Sequence, residues 1–173
     1  MASYYYLISS LPMLKTDGSV PMNFHDFLEQ CKSCVSAATY QSLCNLSDPN
    51  NSHPMLKAWA NFYNTLMDEM TYQRSVKLGK QVATPSSRDS ELANTVAAAL
   101  AAKNPLIAEQ MLLELEFKRI DSMMGLHNFD DYYLFGYGIK LKLLERQAVF
   151  KHDEGAEEFK SLFTSLQKQI VSM

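Results

Sequence analysis

Apolar residues recur at intervals of three and four along most of the chain, the spacing of helices that bury one face. Tyr4, Leu7, Ile8 and Leu11 form an i, i+3, i+4, i+7 series behind Ser3, which can cap a helix, and Pro12 stops the series. The tyrosines would also suit a strand; the spacing favours helix. Asn23 stands ahead of Phe24, Phe27, Leu28, Cys31, Cys34 and Val35, which share one helical face, and a short helical piece is expected over 39–46. The polar stretch 47–53 reads as a loop, and Pro54 fits the first turn of a new helix.

That helix is long. Met55, Trp59, Phe62, Tyr63, Leu66 and Met70 keep one apolar stripe that continues over 73–78, and Arg74, Lys77 and Lys80 suit the negative end of the helix dipole. Residues 83–89 (ATPSSRD) read as a linker-like loop between an N-terminal helical region, 1–82, and a C-terminal helical region, 90–173, the two forming one compact domain. Leu92, Val96, Ala99 and Leu100 predict a short Ala-rich helix ending at Asn104-Pro105, where proline opens the next one. Over 106–124 there are two apolar rows, so wide burial is expected, with Gly125 as the C-cap. After Asp130 the seam Leu134, Tyr137, Leu141, Leu144 and Ala148 suits close helix pairing, and Gly136 and Gly138 admit a neighbouring backbone. A last helix is expected over 156–171, with Phe159, Leu162, Phe163, Leu166 and Ile170 inward and Asp153, Glu154, Glu157 and Glu158 at its positive end. The fold class is therefore all-α, a helical bundle of about six or seven helices.

Composition narrows what such a bundle does. The 173 residues, 47% of them hydrophobic, carry apolar surface enough to offset chain entropy, and a chain of this size buries about 70% of its unfolded surface without disulfides or metals. With 16 Lys plus Arg against 19 Asp plus Glu the net charge is −3, which argues against a nucleic-acid partner, since phosphate binding needs clustered cations. The opening residues lack the basic segment of a signal peptide, and no apolar run approaches the roughly 20 residues that span a bilayer. A cytoplasmic protein with no direct membrane insertion is expected. Three cysteines crowded at Cys31, Cys34 and Cys44 suit reduced thiols.

Chemistry is sparse. Cys31 and Cys34 make a single CxxC inside an amphipathic helix, where a zinc site wants a second pair, so core cysteines are expected. His25, His53, His127 and His152 are scattered, without ligand spacing. Gly79-Lys80 lacks the upstream glycine and the hydroxyl residue of a phosphate loop, and Gly136-Tyr137-Gly138 has no third glycine and no preceding strand. The acid pairs Asp130-Asp131 and Glu157-Glu158 suit helix starts better than acid–base catalysis. No catalytic, cofactor-binding or metal residue is nominated, no cofactor is expected, and the expectation is a protein that is not an enzyme. Contact surface is left: Tyr4, Tyr5 and Tyr6, Tyr132 and Tyr133, and ten methionines, all of which also suit a core.

Residues 4–14 (YYYLISSLPML), 59–74, Asn104 to Glu109, and the run Phe129-Asp130 through Tyr137, Lys140-Leu141 and Leu144-Glu145-Arg146 together resemble, in order, an uncharacterised bacterial family encoded beside V-type ATPase subunits. That family is itself distantly similar to the C subunit of V-type ATPases. The resemblance spans almost the whole chain and implies part of the lobed fold of that C subunit: a non-catalytic subunit or accessory of a bacterial V-type rotary ATPase, coupling or docking at the central stalk and membrane rotor ring. It implies other V-type ATPase subunits as partners, a role in ion or proton transport, and peripheral attachment to the inner face of the membrane through that complex. This chain is much shorter than the three-lobed C subunit, and the Arg-Asn pair of the family's helix stands here as Arg146-Gln147. Candidate interface residues are Tyr4, Tyr5, Tyr6, Asp130, Lys140, Lys142, Glu145 and Arg146. A free-standing helical adaptor binding a soluble partner is the alternative, and a helical enzyme would require a polar pocket with convergent His, Asp or Tyr side chains.

Overall fold

Nearly every helix starts where the sequence supplies a capping side chain, which satisfies backbone N–H groups that have no partner inside the helix. A computed structural model describes residues 4–17, 19–46, 48, 51–85, 89–149 and 162–164. Among the described residues the helices are α1 (Tyr5–Ser10), α2 (Phe24–Lys32), α3 (Ala37–Cys44), α4 (Pro54–Lys77), α5 (Ser90–Ala101), α6 (Pro105–Met124) and α7 (Asp131–Ala148), with a further helical stretch at 162–164, and there is no strand. Asn23 Oδ1 accepts the Asp26 N–H at 2.8 Å, Ser36 Oγ the Thr39 N–H at 3.1 Å, and Asn104 Oδ1 the Leu106 N–H at 3.0 Å. Asp89 caps α5 and Asp130 caps α7 in the same way. Pro54 and Pro105 each occupy a first turn, where no N–H is missed.

The helices α4 and α7 run in the same direction: Met55 packs on Gly136, and further along Tyr63 lies in the field of Arg146. The helix α6 runs the opposite way, Met124 meeting Gly136 and Glu116 meeting Arg146. The helix α5 is antiparallel to α6, tied at its start by Asp89 to Arg119, and parallel to α4, since Gln73 reaches the Ala93 carbonyl and Lys77 that of Leu100. Both of the latter bonds cross the expected linker, and one continuous core runs from Tyr4 through Trp59 and Leu92 to Leu144, so the two helical regions share a single interior. The pair α2–α3 closes the remaining side of α7, with Phe27 and Leu46 against Gly138.

The helix α7 is enclosed more fully than a seam requires. Besides Leu134, Tyr137, Leu141 and Leu144, its Phe135, Ile139 and Leu143 are buried, each such aliphatic or aromatic side chain contributing about 1.5–3 kcal/mol. Only Ala148 of the predicted seam is exposed, at the end of the helix. Gly138 permits this crowding: a Cβ there would lie 3.0 Å from Leu46 Cδ1 and 3.2 Å from Phe27 Cε1.

Other expectations need correction. Cys31 is a core residue, but Cys34 is exposed because α2 ends at Lys32, so the helical face ends before it. The apolar stripe of α4 ends at Met70; Val76 and Leu78 are exposed, because α5 covers only the Gln73 side of that last stretch. Within 83–89, residues 83–84 are exposed, and 86–88 lie outside the described residues. So does most of the predicted helix 156–171; residues 162–164 are helical, and Leu162 and Phe163, expected inward, are exposed.

Candidate interaction surface

Tyr4 N–H donates to the Phe129 carbonyl at 2.9 Å, joining the start of the chain to the α6–α7 loop. A second tie lies deeper, where Tyr137 Oη donates to the Pro12 carbonyl at 2.9 Å. Residues 4–14 and 129–146, 125 positions apart at both ties, are therefore one structural unit. Tyr4 is buried, which corrects its place in an exposed tyrosine run: its ring sits beside Thr39 and Asp131, and burial raises its phenol pKa.

The two tyrosines that come next point outward. Tyr5 is 53% exposed and packs on Phe129 with ring centres 4.8 Å apart, while Tyr6 is 89% exposed and meets Tyr5 edge-on. With Leu126 at 95% and Phe129 at 41% exposure, they put four large apolar side chains on one end of the bundle. Single exposed apolar side chains are ordinary on a protein surface, whereas neighbouring ones mark contact sites.

Beneath them lies a polar cluster built by helix starts. Gly125 turns the chain after α6 with φ +54°, and the His127 N–H donates to the Met124 carbonyl at 2.9 Å. This sets the His127 ring against Asp130, with Nδ1 hydrogen-bonded to Oδ2, and stacks it on Tyr132 at 4.1 Å and 10°. Asp130 Oδ1 meanwhile accepts the Tyr132 N–H at 3.1 Å, so one carboxylate caps α7 and orients the imidazole. His53 lies edge-on to Tyr132 and Phe135 and caps α4, its Nδ1 accepting the Met55 N–H at 3.3 Å. Burial lowers the His53 pKa below its usual value, against the pull of Asp131 and Asp130. Asp131 accepts from Thr39 Oγ1 at 3.3 Å, which joins the start of α3 to the start of α7. The acids offset the positive ends of three converging helices.

The charged candidates on α7 are engaged within the fold. Lys140 pairs with Asp121 at 2.5 Å and lies over the Phe117 ring, its side chain 13% exposed. Lys142 lies 4.5 Å from the Phe24 ring centre, and Glu145 Oε1 accepts the Phe24 N–H at 2.6 Å at the start of α2. Arg146 forks onto Glu116 at 2.9 and 3.3 Å and reaches Glu109 at 3.0 Å. Glu116 is 1% exposed, and burial raises its pKa despite Arg146. These side chains fasten α7 to α2 and α6. Spacing from a single seam placed them at the surface, but a helix enclosed on nearly all sides has little free flank.

Leu126, Phe129, His127 and His53 belong to this surface and were not nominated from sequence. The available signal was a glycine C-cap followed by Leu126 and the dense aromatic–acid run Phe129-Asp130-Asp131-Tyr132-Tyr133. Among the described residues no group of three His, Cys, Asp or Glu side chains is placed to hold a metal. Burial pushes the Cys31 thiol up to about 12, a value unsuited to thiolate chemistry. The clefts between residues 16–20, α6 and α7, between α4 and α5, and beside Lys140 are lined by side chains other than His53, His127 and Asp130. Among the described residues no helix is long and apolar enough to cross a membrane. No protein-family model, curated protein or solved structure matches the chain.

Proposed function

We propose that this chain acts by binding another protein through its aromatic end, as a non-catalytic subunit or accessory of a bacterial V-type rotary ATPase. One observation carries the reading: residues 4–14 and 129–146, two of the blocks on which the resemblance to the V-type ATPase-associated family rests, are pinned together by the Tyr4–Phe129 and Tyr137–Pro12 hydrogen bonds. Where they join, Tyr5, Tyr6, Leu126 and Phe129 are exposed on helix termini braced by Asp130 and His127. Rigid aromatic side chains on a fixed scaffold bind at little entropic cost, the usual make-up of interface anchors. The enclosed α7 supplies the stiffness a mechanical coupler needs.

The test is copurification of tagged wild-type protein and a Tyr5→Ser/Tyr6→Ser variant from native membranes, followed by mass spectrometry. Wild type should retain rotary-ATPase subunits and the variant should lose them. Absence of those subunits from both preparations would overturn the ATPase assignment, and retention of one soluble partner through the same tyrosines would establish the adaptor reading instead.

A further inference from the structure

The end of the bundle farthest from the exposed tyrosines is cationic and apolar at once. Lys77 Nζ, on the Leu100 carbonyl at 2.9 Å, ties the end of α4 to the end of α5, and after residues 102–104 the chain enters α6. Past α4 the backbone turns sharply: Gly79 has φ +72°, and the Lys80 N–H donates to the Ser75 carbonyl at 3.0 Å. Leu78, 73% exposed, stands at that turn between the half-exposed Val76 and Val82, and the start of α6 adds Ile107, 51% exposed. Arg74, Lys77, Lys80 and Lys103 are exposed on the same segments.

No Asp or Glu occurs in 70–88 or in 92–108, although the chain as a whole has net charge −3. The acids that border these stretches are engaged inside the fold, Asp89 with Arg119, Glu91 with Lys118 and Glu109 with Arg146. Helix dipoles do not account for the excess. The C-termini of α4 and α5 and the N-terminus of α6 meet here, each worth about half an elementary charge, so their sum is smaller than the charge of a single lysine. Protein contact sites favour aromatic and arginine anchors. This end offers mostly lysine, a point charge suited to phosphate, around aliphatic tips. Such tips enter the boundary between lipid headgroups and acyl chains, while lysine stems lie along them and keep the charge among the headgroups.

We propose that this end of the bundle, residues 74–82 with Lys103 and Ile107, docks on an anionic lipid surface. Leu78, Val82 and Ile107 enter the headgroup boundary, and Arg74, Lys77, Lys80 and Lys103 meet the lipid phosphates. The contact is peripheral, since among the described residues no helix is long and apolar enough to cross a membrane. The 24 residues of α4 span about 36 Å, and its start lies beside Tyr132 through His53. The aromatic end is thereby held clear of the surface, so lipid docking is independent of which partner meets the tyrosines.

The test is cosedimentation of the full chain with vesicles of equal parts phosphatidylglycerol and phosphatidylcholine, and with vesicles of phosphatidylcholine alone. Binding to the anionic vesicles is expected, weakening as salt is added, with none to the neutral ones. Lys80→Gln/Lys103→Gln, which touches only exposed lysines outside the helices, should weaken it about thirtyfold, and Leu78→Ser/Ile107→Ser about tenfold. Both variants should keep the wild-type circular-dichroism spectrum. Tyr5→Ser/Tyr6→Ser should bind the vesicles as wild type does, so a failed ATPase assignment and a failed lipid contact are read separately. Equal binding to both vesicles, binding to neither, indifference to either pair of substitutions, or capture of a polyglutamate peptide in preference to the anionic vesicles would each overturn the proposal.

Discussion

The start of α7 and its charged flank draw on different residue types and put them to different uses. At the start, Asp130 and His127 hold a loop whose neighbours Leu126, Phe129, Tyr5 and Tyr6 remain exposed. Along the flank, Lys140, Lys142, Glu145 and Arg146 each find a partner on α2 or α6. A charged residue on a surrounded helix is drawn into fastening that helix, because leaving it unpaired costs several kcal/mol. An aromatic residue on a helix terminus has no such obligation and is available to another molecule. Charge therefore marks where this fold is held, and exposed aromatics mark where it can be met.

The largest effect that would break this contrast lies on the flank. Arg146→Met leaves the buried Glu116 without its counter-charge and should cost about 3 kcal/mol, read as the urea midpoint of the helical circular-dichroism signal. Arg146→Met/Glu116→Leu should recover most of it, and a double variant no more stable than the single would remove the pair from its fastening role. The Glu116 pKa is raised, so its contribution favours the fold at low pH and declines as pH rises from about its ordinary 4.5.

A smaller effect of opposite sign belongs to the other end. The His53 pKa is lowered from 6.5, so its contribution is complete above that value and is lost as pH falls through the depressed one. Protonation also removes the acceptor that caps α4. His53→Asn keeps a capping oxygen without titrating, and should flatten the pH dependence of the thermal midpoint between pH 7 and pH 5, a window about the ordinary His value. An unchanged slope would place the titration elsewhere. Smallest of all, Tyr5→Ser/Tyr6→Ser should shift stability by no more than about 0.5 kcal/mol, since both side chains are largely exposed. A large loss would make these tyrosines part of the fold and void their use as a contact surface.

Helix content, the helix starts at Asn23, Pro54, Asn104-Pro105 and Asp130, and the wide burial of α6 were all legible in the sequence because they derive from local spacing and capping chemistry. The position of Cys34 was misjudged by extending a periodic face past the helix that carries it. The charged flank of α7 was misjudged because a seam says which face is buried most and nothing about how many neighbours surround the rest. Tyr5 and Tyr6 were legible as candidates. The packing of Tyr5 on Phe129 was not, since that pairing joins residues more than a hundred positions apart.

That long separation carries a consequence for synthesis. Tyr4 reaches Phe129 only after the ribosome has made nearly all of α7's supports, and closing so long a loop comes late in folding. A half-made or half-folded chain shows its tyrosines without the platform beneath them. A partner that required the whole platform would accept finished molecules and ignore incomplete ones.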